Sequence, residues 1–131
     1  MKELTIEAVT ENLDTVLDFI NSALEEGGCP LKLQTRINIA VEELFVNIAH
    51  YAYKNETGKT TIRVAVGAEV TIEFEDEGVP YNPLEKEDPD IRASDREIGG
   101  MGIFMVKQIM GSVEYRHERG RNILVIRKAI S

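Results

Sequence analysis

Two side chains one helical turn apart, Glu43 and Asn47, have the chemistry to activate a hydroxyl group and to hold a metal ion. They lie at i and i+4 within residues 37–53, INIAVEELFVNIAHYAY, and His50 at i+7 continues the line. Apolar residues at helical spacing predict one long helix, with this polar line along the border of its apolar face. Glu42 points about 100° away and cannot share the line. The carboxylate can take a proton and the carboxamide can bind a cation, or both can simply solvate the helix edge.

A third candidate is the carboxylate of Asp76, at the end of a predicted strand over residues 70–76. Alternation places Asp76 on the apolar face with Phe74, whereas Glu75 and Glu77 point to solvent. A carboxylate directed toward the core is costly unless donors reach it. Asp76 is therefore either a ligand-binding acceptor or a local cap for the amides of the following turn.

A glycine run, formed by Gly99, Gly100 and Gly102, opens a predicted apolar helix over residues 103–110 that we expect to be buried on most sides. Amides at a helix N-terminus bind phosphate, and glycine permits its close approach, although such a run can also be only a turn. A dinucleotide site of the Rossmann type is disfavoured because a long loop, rather than a first strand, precedes these glycines. A Walker motif is absent because no Gly-Lys-Ser/Thr follows.

These candidates are positioned by elements whose boundaries the pattern indicates. Thr10 is the expected N-cap of the first helix, Gly27 and Gly28 end it, and Pro30 stands near the start of the central helix, which is expected to end between residues 55 and 58. Residues 78–100 form a long loop, which is typical of a functional lid or a disordered segment. The predicted strands are Lys2–Val9, Thr60–Val66, Val70–Asp76, Val113–His117 and Ile123–Lys128.

The order of elements is therefore β-α-α-β-β-lid-α-β-β. Strands joined by hairpins predict an α/β fold of the two-layer α+β sandwich type, with a mixed, mostly antiparallel sheet of about five strands and three helices on one face.

Composition restricts the partners and the cellular setting. The 131 residues are expected to form one domain, 1–131, and the net charge of −8 argues against duplex nucleic acid or an anionic membrane as a partner. No apolar run approaches the roughly 20 residues of a membrane span. A single cysteine, Cys29, and the lack of an export signal indicate the cytoplasm. His50 and His117 are far apart and have no cysteine partners, which disfavours a histidine-bound metal.

Taken together, four stretches resemble the GHKL superfamily of ATPases, and within it the small anti-sigma factor serine/threonine kinases. These are EELFVN, FEDEGVPYNPLE, IGGMGIFMVKQIM and EYRHERGRNILVIRK, which lie between residues 42 and 128. The resemblance implies that Glu43 is the general base, that Asn47 is a Mg²⁺ ligand and that Asp76 accepts a hydrogen bond from adenine. It further implies that the residues under the base and beside the phosphates are Gly78, Pro80, Gly99, Gly100, Met101 and Gly102.

The expected chemistry agrees with these roles. An aspartate acceptor suits the exocyclic amine of adenine and repels the carbonyl oxygen of guanine. Mg²⁺ prefers about six oxygen ligands and takes few of them from protein, so one Asn with phosphates and waters suffices. Lys86, Arg92 and Arg96 of the lid either neutralise phosphate charge or are simply solvated.

Three positions depart from the family pattern. Val125 is assigned to the strand position where relatives often carry an adenine-side threonine. His50 follows Asn47 by three residues, whereas relatives often have this histidine four residues on, at the position of Tyr51. Relatives also often carry aspartate at the position of Gly111.

The implied function is that of a serine/threonine protein kinase that uses ATP and Mg²⁺. Its implied substrate is a small regulatory protein, an anti-sigma factor antagonist, and a sigma factor is a second expected partner. The alternatives are a non-catalytic, nucleotide-gated interaction module and a plain ATPase; the presence of Glu43 favours an enzyme. We expect no direct nucleic-acid or membrane partner, and the resemblance suggests a homodimer formed through the sheet side.

Overall fold

The computed structural model describes residues 1–53, 57–80, 82–85 and 98–130. In these ranges three α-helices and five β-strands follow one another in the predicted order. Their bounds are β1 Lys2–Glu7, α1 Leu13–Glu26, α2 Leu31–Tyr51, β2 Lys59–Val66, β3 Glu69–Asp76, α3 Ile98–Ile109, β4 Ser112–Glu118 and β5 Arg121–Ala129, with short 3₁₀ turns at Thr10–Asn12 and Pro83–Glu85.

The strands form one sheet in the order β1-β2-β3-β5-β4. All four pairings are antiparallel, so the sheet is antiparallel throughout rather than mixed. β3 is the central strand, and in register Asp76 lies opposite Thr60 on β2 and Asn122 on β5. The predicted fold class, an α/β sandwich with an essentially antiparallel sheet, is confirmed.

The core lies between the sheet and the three helices. Alternate residues of β3 enter it, and Phe74 with 1% of its surface exposed packs near Phe45 of α2, which is fully buried. The opposite face of the sheet is charged: Arg63 on β2 bonds Glu3 at 2.8 Å and Glu75 at 3.1 Å. Period-two alternation thus separates an apolar inner face from a salt-bridged outer face.

Two predicted helix boundaries are wrong. Thr10 does not cap α1, because it belongs to a 3₁₀ turn and its hydroxyl bonds the side chain of Glu11 instead. The helix α2 ends at Tyr51 rather than beyond residue 53. The carbonyl of Ala52, which a continuing helix would use, accepts a hydrogen bond from the N–H of Val79 at 2.9 Å.

The first strand and the third helix also differ from expectation. β1 ends at Glu7, because the N–H of Ala8 bonds the carbonyl of Gly58 outside the ladder. α3 is buried on one face only, since Met105 is 39% exposed although its neighbour Val106 is buried. In the described ranges, no helix combines the length and the apolar character that crossing a membrane requires.

Candidate functional site

Asn47 and Asp76, which belong to α2 and β3, line the same cleft between the helix layer and the sheet. The cleft has about 30 Å³ of room for the centre of a water-sized sphere, and the space between its atoms reaches about 410 Å³ only when open solvent is included. Its walls are mainly apolar, and its lining residues are Leu44, Asn47, Ile48, Ala52, Phe74, Asp76, Pro83, Tyr115, Asn122 and Leu124. A mostly apolar cleft with a few convergent polar groups is the usual form of a small-molecule site.

Asp76 stands at the end of β3 and is 6% exposed. Its Oδ1 accepts hydrogen bonds from the N–H of Gly78 and from Nδ2 of Asn122, each at 2.9 Å. Burial raises the pKa of the Asp76 carboxyl above its ordinary value, although these two bonds pull it down. Asp76 therefore caps the following turn through Oδ1, as the simpler hypothesis expected, and none of the described residues is hydrogen-bonded to its Oδ2.

The turn after Asp76 is pressed against the end of α2. A Cβ on Gly78 would overlap the backbone carbonyl of Ala52, so this approach requires glycine. The N–H of Val79 then bonds that same carbonyl. Pro80 follows as an exposed residue, and it is Pro83 that reaches the cleft.

Asn47 is 7% exposed, and among the described residues nothing hydrogen-bonds its Nδ2. A buried amide without a partner is costly, so a partner supplied by a bound ligand would relieve it. Its carboxamide oxygen is a suitable ligand for Mg²⁺. Because the described residues contain no cluster of three His, Cys, Asp or Glu that could hold a metal, the ion would need oxygens from the ligand and from water as well. The residues present thus fit a magnesium ion that arrives with phosphate.

Glu43, one turn before Asn47, is half-buried, and the second turn of α3 lies against it. A Cβ on Gly102 would overlap the carboxylate of Glu43. Burial, and secondly the charge of Glu42, raise the pKa of the Glu43 carboxyl above its ordinary value. The tertiary structure therefore brings the helix motif and the glycine motif together, at a carboxylate that is more basic than a solvated one.

The remaining residues named from sequence have simpler placements. Gly99, Gly100 and Met101 form the first turn of α3, where backbone N–H groups have no intrahelical acceptor. His50 is exposed, and its ring meets that of Tyr51 edge-on at 6.1 Å between centroids. The lid residues with positive charge, Lys86, Arg92 and Arg96, lie outside the described residues.

Sequence reasoning missed Asn122 and Tyr115. Besides Asp76, the Nδ2 of Asn122 bonds the carbonyl of Val79 at 2.9 Å, and its Oδ1 accepts the hydroxyl of Tyr115. Asn122 thereby ties Asp76 to its turn. Asn122 could be identified only from the register of β5 against β3, which cannot be read from the sequence.

The assignment of Val125 to the adenine side is wrong. Val125 lies opposite Glu73 in the register, and Glu73 belongs to the outer face of β3. On the face of β5 that matches Asp76, Asn122 and Leu124 line the cleft. A shift by one residue reverses the face of a strand, which explains the error.

A family model described as a histidine kinase-like ATPase domain matches residues 6–128. No curated protein matches the chain. Among solved structures, the chain is similar to a blue-light activated histidine kinase of Erythrobacter litoralis EL346, at 21% identity and a TM-score of 0.58. That alignment covers 79% of this chain but 32% of the kinase, so the chain spans about a third of that protein.

Two further structures align over nearly the whole chain. The histidine kinase AdeS of Acinetobacter baumannii has 15% identity and a TM-score of 0.57, covering 100% of this chain and 70% of that one. The catalytic domain of histidine kinase ThkA has 14% identity and a TM-score of 0.57, covering 99% and 98%. At these identities the likeness establishes the fold.

Proposed function

This chain belongs to the family of histidine kinase-like ATPase domains, within the GHKL superfamily, and on that premise we propose that it is a serine/threonine protein kinase of the anti-sigma factor type. It would use ATP with Mg²⁺ and phosphorylate a small regulatory protein, an anti-sigma factor antagonist. The observation that carries the proposal is that Asn47 and Asp76 line one cleft, with Glu43 one helical turn from Asn47.

Asp76 is proposed to recognise the base. Its Oδ2 would accept a hydrogen bond from the exocyclic amine of adenine, while Oδ1 stays bound to Gly78 and Asn122. A guanine would present a carbonyl oxygen to the same carboxylate, and two acceptors repel each other. The apolar walls of Leu44, Phe74 and Leu124 suit the flat faces of an adenine ring.

At the other end, Asn47 and Glu43 are proposed to serve the transfer step. The Asn47 oxygen would hold Mg²⁺, which when bound neutralises phosphate charge. Glu43 would accept the proton of a serine or threonine hydroxyl as that oxygen forms its bond to the γ-phosphorus and the bond from phosphorus to the β,γ-bridging oxygen breaks, releasing ADP. The raised pKa of the Glu43 carboxyl favours this role.

The backbone amides at the start of α3 are proposed to bind the phosphates of ATP. The N–H groups of Gly99 and Gly100 belong to the first turn of the helix. Because such groups and the helix dipole attract anions, they are proposed, together with Met101 and Gly102, to contact the phosphates.

The test is transfer of label from γ-labelled ATP, with Mg²⁺, to proteins that co-purify with the chain from its host. We expect acid-stable label on serine or threonine of one small protein. Acid-labile label on histidine would replace the proposal with a histidine kinase, the activity named for the similar structures. ATP binding with no label on any partner would favour the nucleotide-gated interaction module, and release of free phosphate alone would favour a plain ATPase.

We also propose a second protein partner, a cellular location and a domain organisation. A sigma factor is the second partner, the location is the cytoplasm, and the whole of residues 1–131 acts as one domain. A homodimer would use the outer face of the sheet, where Arg63 already bridges carboxylates of neighbouring strands.

A further inference from the structure

Tyr53 follows the end of α2, and its hydroxyl makes two hydrogen bonds to the backbone of the sheet. It accepts the N–H of Glu77 at 2.8 Å and donates to the carbonyl of Lys59 at 2.6 Å. A phenol has one proton to donate, so these two bonds fix the direction of the hydroxyl. The side chain thereby joins the helix layer to β2 and to the residue that follows β3.

These two bonds occur where the regular pairing of β2 with β3 ends. The pairing of β2 with β3 ends with Thr60 opposite Asp76, so the next pair would be Lys59 opposite Glu77. The Tyr53 hydroxyl bridges the carbonyl of one to the N–H of the other. The main chain directly after Asp76 is therefore held by a side chain where the ladder of regular pairs stops.

The ring of Tyr53 is also held in place. Gly58 packs on its face so closely that a Cβ there would overlap the ring atoms. Burial raises the pKa of the Tyr53 phenol above its ordinary value, so the phenol keeps its proton and its bond to Lys59 at neutral pH.

Tyr53 does not line the cleft that contains Asp76. It faces a polar basin on the other side of that carboxylate, together with Thr61, Arg63 and Arg121. An effect of Tyr53 on a nucleotide must therefore pass through the backbone of Glu77 and its neighbours.

We propose that Tyr53 is a positioning residue for base recognition. Through its bond to the backbone of Glu77 it fixes the Asp76 carboxylate and the Gly78 turn, and it does not touch the nucleotide. The inference rests on the proposed function, because it presupposes that adenine binds at Asp76. The turn has two other restraints, the bond from Val79 to Ala52 and the amide of Asn122, so removal of the hydroxyl should loosen it rather than unfold it.

Tyr53→Phe tests this, because it deletes the hydroxyl and keeps the ring on Gly58. We expect the Kd for ATP to rise about tenfold and the preference for ATP over GTP to fall, measured by calorimetry well below the unfolding temperature. In the transfer assay the KM for ATP should rise while kcat at saturating ATP is retained, because Glu43 and Asn47 are untouched. In the absence of nucleotide, the backbone amide of Glu77 should exchange its hydrogen faster in Tyr53→Phe than in the wild-type protein.

Thr61→Val is the matched control. It removes a hydroxyl from the same part of β2, where Thr61 and Thr5 share a hydrogen bond of 2.9 Å, and leaves the Asp76 turn alone. It should leave the Kd for ATP and the ATP/GTP ratio unchanged. An equal loss of affinity in both variants would mean general loosening of the sheet and would overturn the inference.

The inference and the proposed function fail in different ways. If wild-type protein binds ATP and Tyr53→Phe binds it equally well with the same ATP/GTP ratio, only the role of Tyr53 is refuted. If the wild-type protein binds neither nucleotide, the proposed function falls, and the role of Tyr53 falls with it.

Discussion

The two ends of the cleft differ in how their polar groups are satisfied. At the Asp76 end, the carboxylate has two donors and the following turn is tied to Ala52, Tyr53 and Asn122. At the Asn47 end, the Nδ2 of Asn47 has no partner among the described residues, and none of them hydrogen-bonds the carboxylate of Glu43, one helical turn before Asn47. Within the part of the chain that the structure describes, the Asp76 end supplies its own hydrogen-bond partners, whereas the Nδ2 of Asn47 at the other end has none.

This difference indicates how the work of the site is divided. Fixed acceptors and a fixed turn make recognition of a base inexpensive in conformational entropy. In the proposed function, the polar groups at the Asn47 end would gain partners when phosphate and cation arrive, so binding energy would be directed to the place of phosphotransfer. Base recognition should therefore persist when the catalytic end is altered.

Glu43→Gln should give the largest effect and leave recognition intact. The amide cannot accept the hydroxyl proton, so phosphotransfer should fall by about 10²- to 10⁴-fold while the Kd for ATP stays near the wild-type value. Labelled transfer and calorimetry measure the two quantities. Transfer at the wild-type rate would remove Glu43 from the mechanism.

Asp76→Asn alters the recognition end. An Asn side chain can still accept the bond from Asn122, but it loses the charge that favours the amine of adenine. We expect the preference for ATP over GTP to drop at least about tenfold, seen as similar shifts of the thermal midpoint with either nucleotide. A preserved preference would show that the base is read elsewhere.

Two glycine substitutions compare the rigidity of the ends directly. Gly78→Ala pushes a Cβ into the backbone of Ala52, which cannot move, and should destabilise the protein by about 1–3 kcal/mol. Gly102→Ala meets only the mobile end of the Glu43 side chain, so it should cost less than about 1 kcal/mol yet slow phosphotransfer.

Gly67→Ala is the control for both, because an added Cβ there meets open space. Denaturant unfolding and the transfer assay separate the cases. Equal destabilisation by the substitutions at 78 and 102 would contradict the contrast between a rigid and an adaptable end.

The smallest expected effect is on stability as a function of pH. Burial raises the folded-state pKa of the carboxyls of Asp76 and Glu43. For each carboxyl, the folded protein therefore binds more protons than the unfolded chain at pH values between its unfolded-state pKa and its folded-state pKa. Their contribution to stability is therefore present at low pH and is lost as pH rises through that window.

Removal of either charge should consequently stabilise the ligand-free protein at neutral pH relative to wild type. Asp76→Asn and Glu43→Gln should both raise the free energy of unfolding at pH 7, and the gain should shrink as the pH is lowered. Urea titrations across the acid range provide the measurement.

Much of the fold could be read from local pattern. Alternation along residues 70–76 predicted that Asp76 enters the core side, and it does. Helical spacing predicted that Glu43 and Asn47 share one face of a long helix. The boundaries failed where a distant segment intervened, as at Ala52, whose carbonyl is taken by Val79.

The details of the site were less accessible, because they depend on register and on packing. Val125 was assigned to the wrong face by a displacement of one residue. Asn122 was overlooked because the predicted last strand began at Ile123, whereas β5 begins at Arg121 and pairs Asn122 with Asp76. Tyr53 was predicted to lie inside the central helix, whereas α2 stops before it and its hydroxyl bonds to the sheet.

The sequence by itself determined which residues could do chemistry and which face of its own element each occupies, because helix and strand periods are local properties of the chain. Only the tertiary structure decided which of them meet: Asp76 with Asn122 through strand register, and Glu43 with Gly102 through the packing of α3 on α2. Those contacts join residues that are 46 and 59 positions apart (122 − 76 and 102 − 43), and no local period specifies them.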